Sequence, residues 1–307
     1  MEQQVVDFLE HLSRQQGRAA NTIAAYRNDL EQFVEFAQGV ASPPMGEWRE
    51  LTPECLQAYL RFLNTHTKAY TPATVARKLA AVKRFCEFLH QTEQIETNFA
   101  KSVRLPKVTK NLPHTMRAEE ISRLLAEPAR HHTPQARRDW ALLETLYATG
   151  MRVSELVELN LKDLDLEAKQ IRCGANGKHS RTVSLSDQAV TALDLYLREG
   201  RLDLVVDRSE PALFLNHRGQ RLTRQGLWLI IKRYVEQVGI ETPVTPHTLR
   251  HSFAAHLLNS GAALREVKER LGYAHLSSTQ IYQQVANGVA AELVIDGQPV
   301  VYTNGKH

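Results

Sequence analysis

Cysteine is scarce in this chain: Cys55, Cys86 and Cys173 are the only three in 307 residues. They are too few and too scattered for a disulfide framework or a zinc knuckle, which argues against a disulfide-stapled secreted protein and for a reducing cytoplasm. Long apolar runs are also missing. No stretch approaches membrane-spanning length, and no basic segment leads into an apolar one at the N-terminus, so the expected location is cytoplasmic with no membrane partner. The sequence shows no internal repeat or low-complexity tract, which argues against a solenoid. A strong excess of one charge is absent too. The net charge of +4 and pI of about 8.9 leave nucleic acid as one partner class among several, because binding depends on where Lys and Arg gather.

What is present is an ordinary globular balance of 43% hydrophobic and 23% charged residues, in a length that suits about two domains. Over residues 1–100, Val5, Val6, Phe8, Leu9 and Leu12 recur at helical spacing, as do Ile23, Tyr26, Leu30, Phe33 and Val34. Asn21 or Thr22 caps the second run, and Thr52-Pro53 and Thr71-Pro72 each open a further helix. The expectation is a small four-helix domain. Residues 101–116 hold two prolines, several cations and no periodic apolar face, which predicts an extended basic linker. Residues 117–307 form a second domain that is mostly helical. Helices are expected over 117–125, 137–147, 187–198, 224–238, 248–260 and 264–271. Two strands, 170–173 and 181–185, flank the hairpin signal Asn176-Gly177. The fold class is therefore mainly α with a small β-sheet.

Basic residues occur on both halves and in the connector: Arg14, Arg18, Arg27, Arg77, Lys78, Lys83 and Arg84 in the first domain, Lys107 and Lys110 in the linker. On charge alone these are solvated helix faces. Two basic lobes joined by a basic strap also suit a duplex gripped from opposite sides, with Arg77, Lys78, Lys83, Arg84, Lys107 and Lys110 as the candidate DNA contacts.

The last third carries the chemistry. Phosphodiester cleavage without a metal needs a nucleophile, neutralisation of the non-bridging oxygens, and a proton for the departing 5′ oxygen. Arg152 and Arg250 suit the second task, since guanidinium donates parallel hydrogen bonds and stays protonated. His247 lies three residues before Arg250, on the same face at a helix start. Taken singly, each residue has a plainer reading: Arg152 paired with Glu155, Tyr282 as a core tyrosine, and His247 with His251 as two spaced histidines that lack the Glu and third ligand of a zinc site. No metal and no cofactor are expected.

Their joint order carries more information. Gly150-Met151-Arg152-Val153-Ser154-Glu155-Leu156, Pro246-His247-Thr248-Leu249-Arg250-His251-Ser252-Phe253 and Leu271-Gly272, with Tyr282 nine positions after Tyr273, closely resemble the signatures of the tyrosine recombinases, particularly the Xer type. The resemblance covers most of the chain, including Asn21-Thr22-Ile23-Ala24-Ala25-Tyr26. It implies a C-shaped clamp made of a SAM-like core-binding domain and a mixed α/β catalytic domain. It also implies Tyr282 as nucleophile, Arg152 and Arg250 as phosphate ligands, His247 as helper, and a 3′-phosphotyrosyl intermediate leading to a Holliday junction. A double-stranded recombination site, a homo- or hetero-tetramer of recombinase subunits and a DNA translocase are the implied partners.

Two positions depart from the pattern. Asn176 falls where the family places a catalytic Lys, and Asn cannot act as a general acid; Lys178, two residues on, is the candidate substitute. Tyr273 falls where the family has His or Trp, although its hydroxyl can still donate a hydrogen bond. His275 stands at the wrong spacing to fill that role. The tail around Asp296-Gly297 reads as two short strands in place of the usual final helix. A catalytically impaired homologue that mainly binds DNA is thus one rival reading. A replication-type topoisomerase and a transcriptional repressor are the others.

Overall fold

The computed structural model describes residues 1–14, 20–65, 70–99, 103, 105–106, 113–174, 180–273, 275–276, 279–283, 292–295 and 298–301. The chain divides into two compact units, Met1–Thr109 and Lys110–His307.

In the first unit, α1 (Glu2–Arg14), α2 (Ala20–Gly39), α3 (Pro53–Thr65) and α4 (Pro72–Gln91) follow the expected order. Thr71 caps α4 by accepting from the Thr74 N–H, and Pro72 opens it where a missing N–H costs nothing. The apolar stripes meet in an aromatic core: Phe33 lies 4.9 Å from Tyr59, Phe8 5.5 Å from Phe85, and Trp48 5.0 Å from Phe85, ring centre to ring centre. Val103 packs into this core, and its carbonyl accepts from Lys83 Nζ at 3.1 Å. The compact unit therefore runs past residue 100, into the segment expected to be free linker.

The second unit is built around α6 (Pro134–Thr149). Its Ala141, Leu142, Leu143 and Leu146 are fully buried, as expected of a helix enclosed on several sides. Around it lie α5 (Ala118–Ala126), α7 (Val153–Glu158), α8 (Asp187–Leu195), α9 (Arg201–Leu204), α10 (Arg224–Gln237), α11 (Pro246–Asn259) and α12 (Leu264–Leu271). α6 and α11 start earlier than periodicity predicts because Thr133-Pro134 and Thr245-Pro246 cap them, with each Thr hydroxyl accepting an N–H of the first turn. Met116 is buried here and donates its N–H to Ser252 Oγ at 2.8 Å. The second unit thus reaches into the expected linker from the other side.

A three-stranded antiparallel sheet runs β1 (Leu164–Asp165), β2 (Gln170–Cys173), β3 (Arg181–Ser184), with Ile171 opposite Val183 and Cys173 opposite Arg181. Alternation buries Ile171, Cys173 and Val183 and exposes Gln170 and Arg172. β1 has only two residues, too short to show a period. Residues 175–179, which hold Asn176 and Lys178, lie outside the described residues. In the tail, β4 (Glu292–Ile295) pairs antiparallel with β5 (Gln298–Val301). Among the described residues, no helix is long and apolar enough to cross a membrane.

Candidate active site

Two helix ends frame the site. α6 stops at Gly150, in the left-handed region at φ 57°, and α12 stops at Gly272, at φ 65°. The last carbonyls of a helix have no intrahelical donor and carry the negative end of its dipole. Arg250, on α11, satisfies both ends at once, donating to the Gly150 carbonyl at 2.5 Å and the Leu271 carbonyl at 2.7 Å while only 3% exposed. Arg152, the N-cap of α7, donates from Nη2 to the Gly272 carbonyl at 3.1 Å. Two residues about 100 positions apart in sequence are thereby oriented by backbone, with further N–H groups of each guanidinium left for an anion.

A carboxylate clamps the assembly from behind. Glu155 accepts from the Arg152 N–H at 2.7 Å and Nη1 at 3.1 Å, and from Arg181 on β3 at 2.8 and 3.2 Å. Arg181 also donates to the Arg270 carbonyl at 2.8 Å, joining the sheet to the end of α12. Burial raises the Glu155 carboxyl, but its hydrogen bonds from Arg181 and Arg152 outweigh burial and hold it below the ordinary carboxylate range.

Tyr273 follows directly on Gly272. Its ring centre lies 4.9 Å from the Arg250 guanidinium carbon and 5.6 Å from that of Arg152, a cation–π arrangement with both. Its hydroxyl is 3.1 Å from the Tyr282 hydroxyl, which is 2.8 Å from His251 Nδ1. Tyr282 sits in a short helical stretch at 279–283 and is 1% exposed. Burial first, then the Tyr273 phenol, drives its hydroxyl pKa far above the ordinary value, while Arg250 and Arg152 pull it down. Burial also lowers the Arg250 pKa.

The structure thus brings Arg152, Arg250, Tyr273 and Tyr282 together. His247 is exposed on the first turn of α11, its ring centre 6.5 Å from that of His251. Asn176 and Lys178 lie outside the described residues. The candidate DNA contacts divide. Lys78 is corrected: it is 7% exposed, and its ammonium is bound to the buried Asp29 at 3.0 Å, so it serves the first unit's interior and is no surface cation. Arg77 shares Asp29 as partner while staying half exposed. Lys83 and Arg84 are half-buried on α4, and Lys107 and Lys110 lie outside the described residues. Sequence reasoning paired Arg152 with Glu155 but missed Glu155 as a clamp that also holds Arg181, Arg181 itself, and His251 as a neighbour of Tyr282. The Arg-x-x-Glu spacing was a signal for the first; nothing in the sequence marked the other two.

Residues 114–288 match the Phage integrase family, and residues 5–93 match the Phage integrase N-terminal SAM-like domain. The chain is 46% identical over 292 residues to the tyrosine recombinase XerC of Herpetosiphon aurantiacus, covering 95% of this chain and 94% of that protein. The chain belongs to the tyrosine recombinases of the phage integrase family. A tyrosine recombinase XerD, from Halalkalibacterium halodurans, is 40% identical over 91% of each chain. The fold is shared with the XerH site-specific recombinase bound to a palindromic difH substrate in a post-cleavage complex, at TM-score 0.73 and 22% identity over 94% of this chain and 82% of that one. A tyrosine recombinase of this make-up is mainly helical with a small sheet, as the sequence predicts.

Proposed function

We propose that in this site-specific DNA recombinase Tyr282 attacks a scissile phosphate, forming a 3′-phosphotyrosyl link and releasing a 5′ hydroxyl. The observation that carries this reading is the convergence of two backbone-anchored guanidiniums on the Tyr273 ring, whose hydroxyl touches that of Tyr282. A phosphate entering there meets positive charge from two sides, beside the buried Arg250 and Tyr282, where preorganised charge stabilisation is strong. Arg152 and Arg250 hold the non-bridging oxygens, and His247 donates a further hydrogen bond. Lys178 supplies the proton to the leaving oxygen that Asn176 cannot. Rejoining reverses the step and conserves bond energy, so ATP is not consumed.

Tetrameric assembly on two paired duplex sites, through a Holliday junction, belongs to the same reading. A second recombinase subunit and a DNA translocase are its further partners. Arg152, Arg250 and Tyr282 all fit one reaction, which weighs against a purely DNA-binding role.

The test is a nicked duplex carrying the sequence that the protein enriches from a random pool. A covalent protein–DNA band on a denaturing gel that disappears in Tyr282→Phe supports the reading. Tight binding with no band overturns it, as does a band that survives in Tyr282→Phe. Loss of cleavage in Lys178→Ala, with binding intact, would support Lys178 as the acid.

A further inference from the structure

Tyr282 holds its proton firmly. Its surroundings disfavour the phenolate, so attack on phosphorus requires a group that removes the proton as the new bond forms. Two described groups touch the hydroxyl. One is the Tyr273 phenol, a weak proton acceptor. The other is the His251 imidazole, with Nδ1 2.8 Å away and ring centre 5.5 Å from the Tyr282 ring.

We propose that His251 is the general base for the nucleophile, taking the Tyr282 proton during cleavage and returning it during rejoining. The proposal rests on Tyr282 being the nucleophile. As the Tyr282 oxygen bonds to phosphorus, its O–H bond breaks and the proton passes to the Nδ1 lone pair. The bond from phosphorus to the 5′ oxygen breaks with its electron pair, and that oxygen takes a proton from the leaving-group acid. In rejoining, the 5′ hydroxyl attacks and returns its proton to the leaving-group acid that had given it up, while the imidazolium protonates the departing tyrosine oxygen. Every proton is accounted for without another reactant.

Position and charge both support this role. His251 follows Arg250 on α11, so the helix that presents the phosphate-binding arginine also presents the base. An Nδ1 that accepts from Tyr282 places the ring proton on Nε2. The groups facing His251 are His247 and Arg250 on its own helix and Tyr282 from the stretch at 279–283. Burial first, then His247 and Arg250, lowers its pKa to about 4, so it stands neutral and ready to accept. The negative charge of an arriving phosphate raises its basicity at the moment it is needed.

Single-turnover cleavage of the nicked duplex described above tests the role, using wild type, His251→Ala, His251→Asn and Tyr282→Phe. Both His251 variants are expected to bind the duplex as wild type does and to cleave it roughly 10²–10⁴-fold more slowly, with free imidazole restoring part of the rate to the Ala variant. A second duplex, with sulfur in place of the leaving 5′ oxygen, needs no proton on departure; it is expected to leave His251→Ala slow while rescuing Lys178→Ala. Wild-type cleavage by His251→Ala overturns the proposal. So does full activity in His251→Asn, which marks a contact that only positions Tyr282, or rescue of His251→Ala by the sulfur duplex, which moves the residue to the leaving-group side. A covalent band that persists in Tyr282→Phe instead overturns the nucleophile assignment itself.

Discussion

Gly150→Ala tests whether the placement of Arg250 depends on the close approach at the end of α6. Two costs add at this position. The backbone is left-handed at φ 57°, which costs an L side chain roughly 1–2 kcal/mol. An added Cβ would also stand 2.3 and 2.7 Å from Phe253 ring carbons and 3.0 Å from Leu271 Cδ2, and overpacking of this kind costs about 1–3 kcal/mol. The expected destabilisation is their sum, ~2–5 kcal/mol. Gly239→Ala is the internal control, because φ is 66° there but nothing lies within 4 Å. Only the left-handed cost applies, ~1–2 kcal/mol. Urea unfolding followed by Trp140 and Trp228 fluorescence, in a Trp48→Phe background, reports the second unit alone. Because the Gly150 carbonyl anchors Arg250, Gly150→Ala should also slow DNA cleavage under conditions where the variant remains folded. Equal destabilisation by the two substitutions would refute the close-approach reasoning, since it would mean that Phe253 moves aside freely.

Glu144 is buried with Trp140 Nε1 donating to it at 3.3 Å, and burial raises its pKa from 4.5 to about 7. The folded state therefore binds the extra proton between those values, and stability falls as pH rises through that window. Glu144→Gln should be more stable than wild type by about 1–3 kcal/mol at pH 8, after allowance for solvent screening. The two proteins should be nearly equal at low pH, and thermal unfolding at both ends of the window checks the difference. Asp29→Ala leaves the Lys78 ammonium buried without its partner and should destabilise the first unit by about 3–5 kcal/mol. Adding Lys78→Met should recover much of that loss in urea unfolding, and no recovery would show that the ion pair is not what the site needs.

Much of the fold was legible because it depends on local patterns. Apolar spacing marked helices of both units, Thr-Pro signals opened two helices of the first, and the Asn176-Gly177 turn signal marked strands β2 and β3. Their errors have local causes as well: β1 is too short to display a period, and the early starts of α6 and α11 were set by caps outside the periodic run. Segment ends were less legible, since Val103 and Met116 are each buried by partners distant in sequence.

For the site, the sequence alone determined the residue types and their order, and hence the family and the chemistry expected of Arg152, His247, Arg250 and Tyr282. It could not determine partners. Whether Lys78 faced solvent or Asp29 depended on how α2 packs on α4. Whether His247 or His251 met Tyr282 depended on the rotation of α11 against the stretch at 279–283. That Arg152 and Arg250 are held by carbonyls depended on bringing the ends of α6 and α12 together. Helix and strand periods are short-range properties of the chain, whereas a hydrogen bond between residues a hundred positions apart exists only once packing has brought its donor and acceptor within about 3 Å.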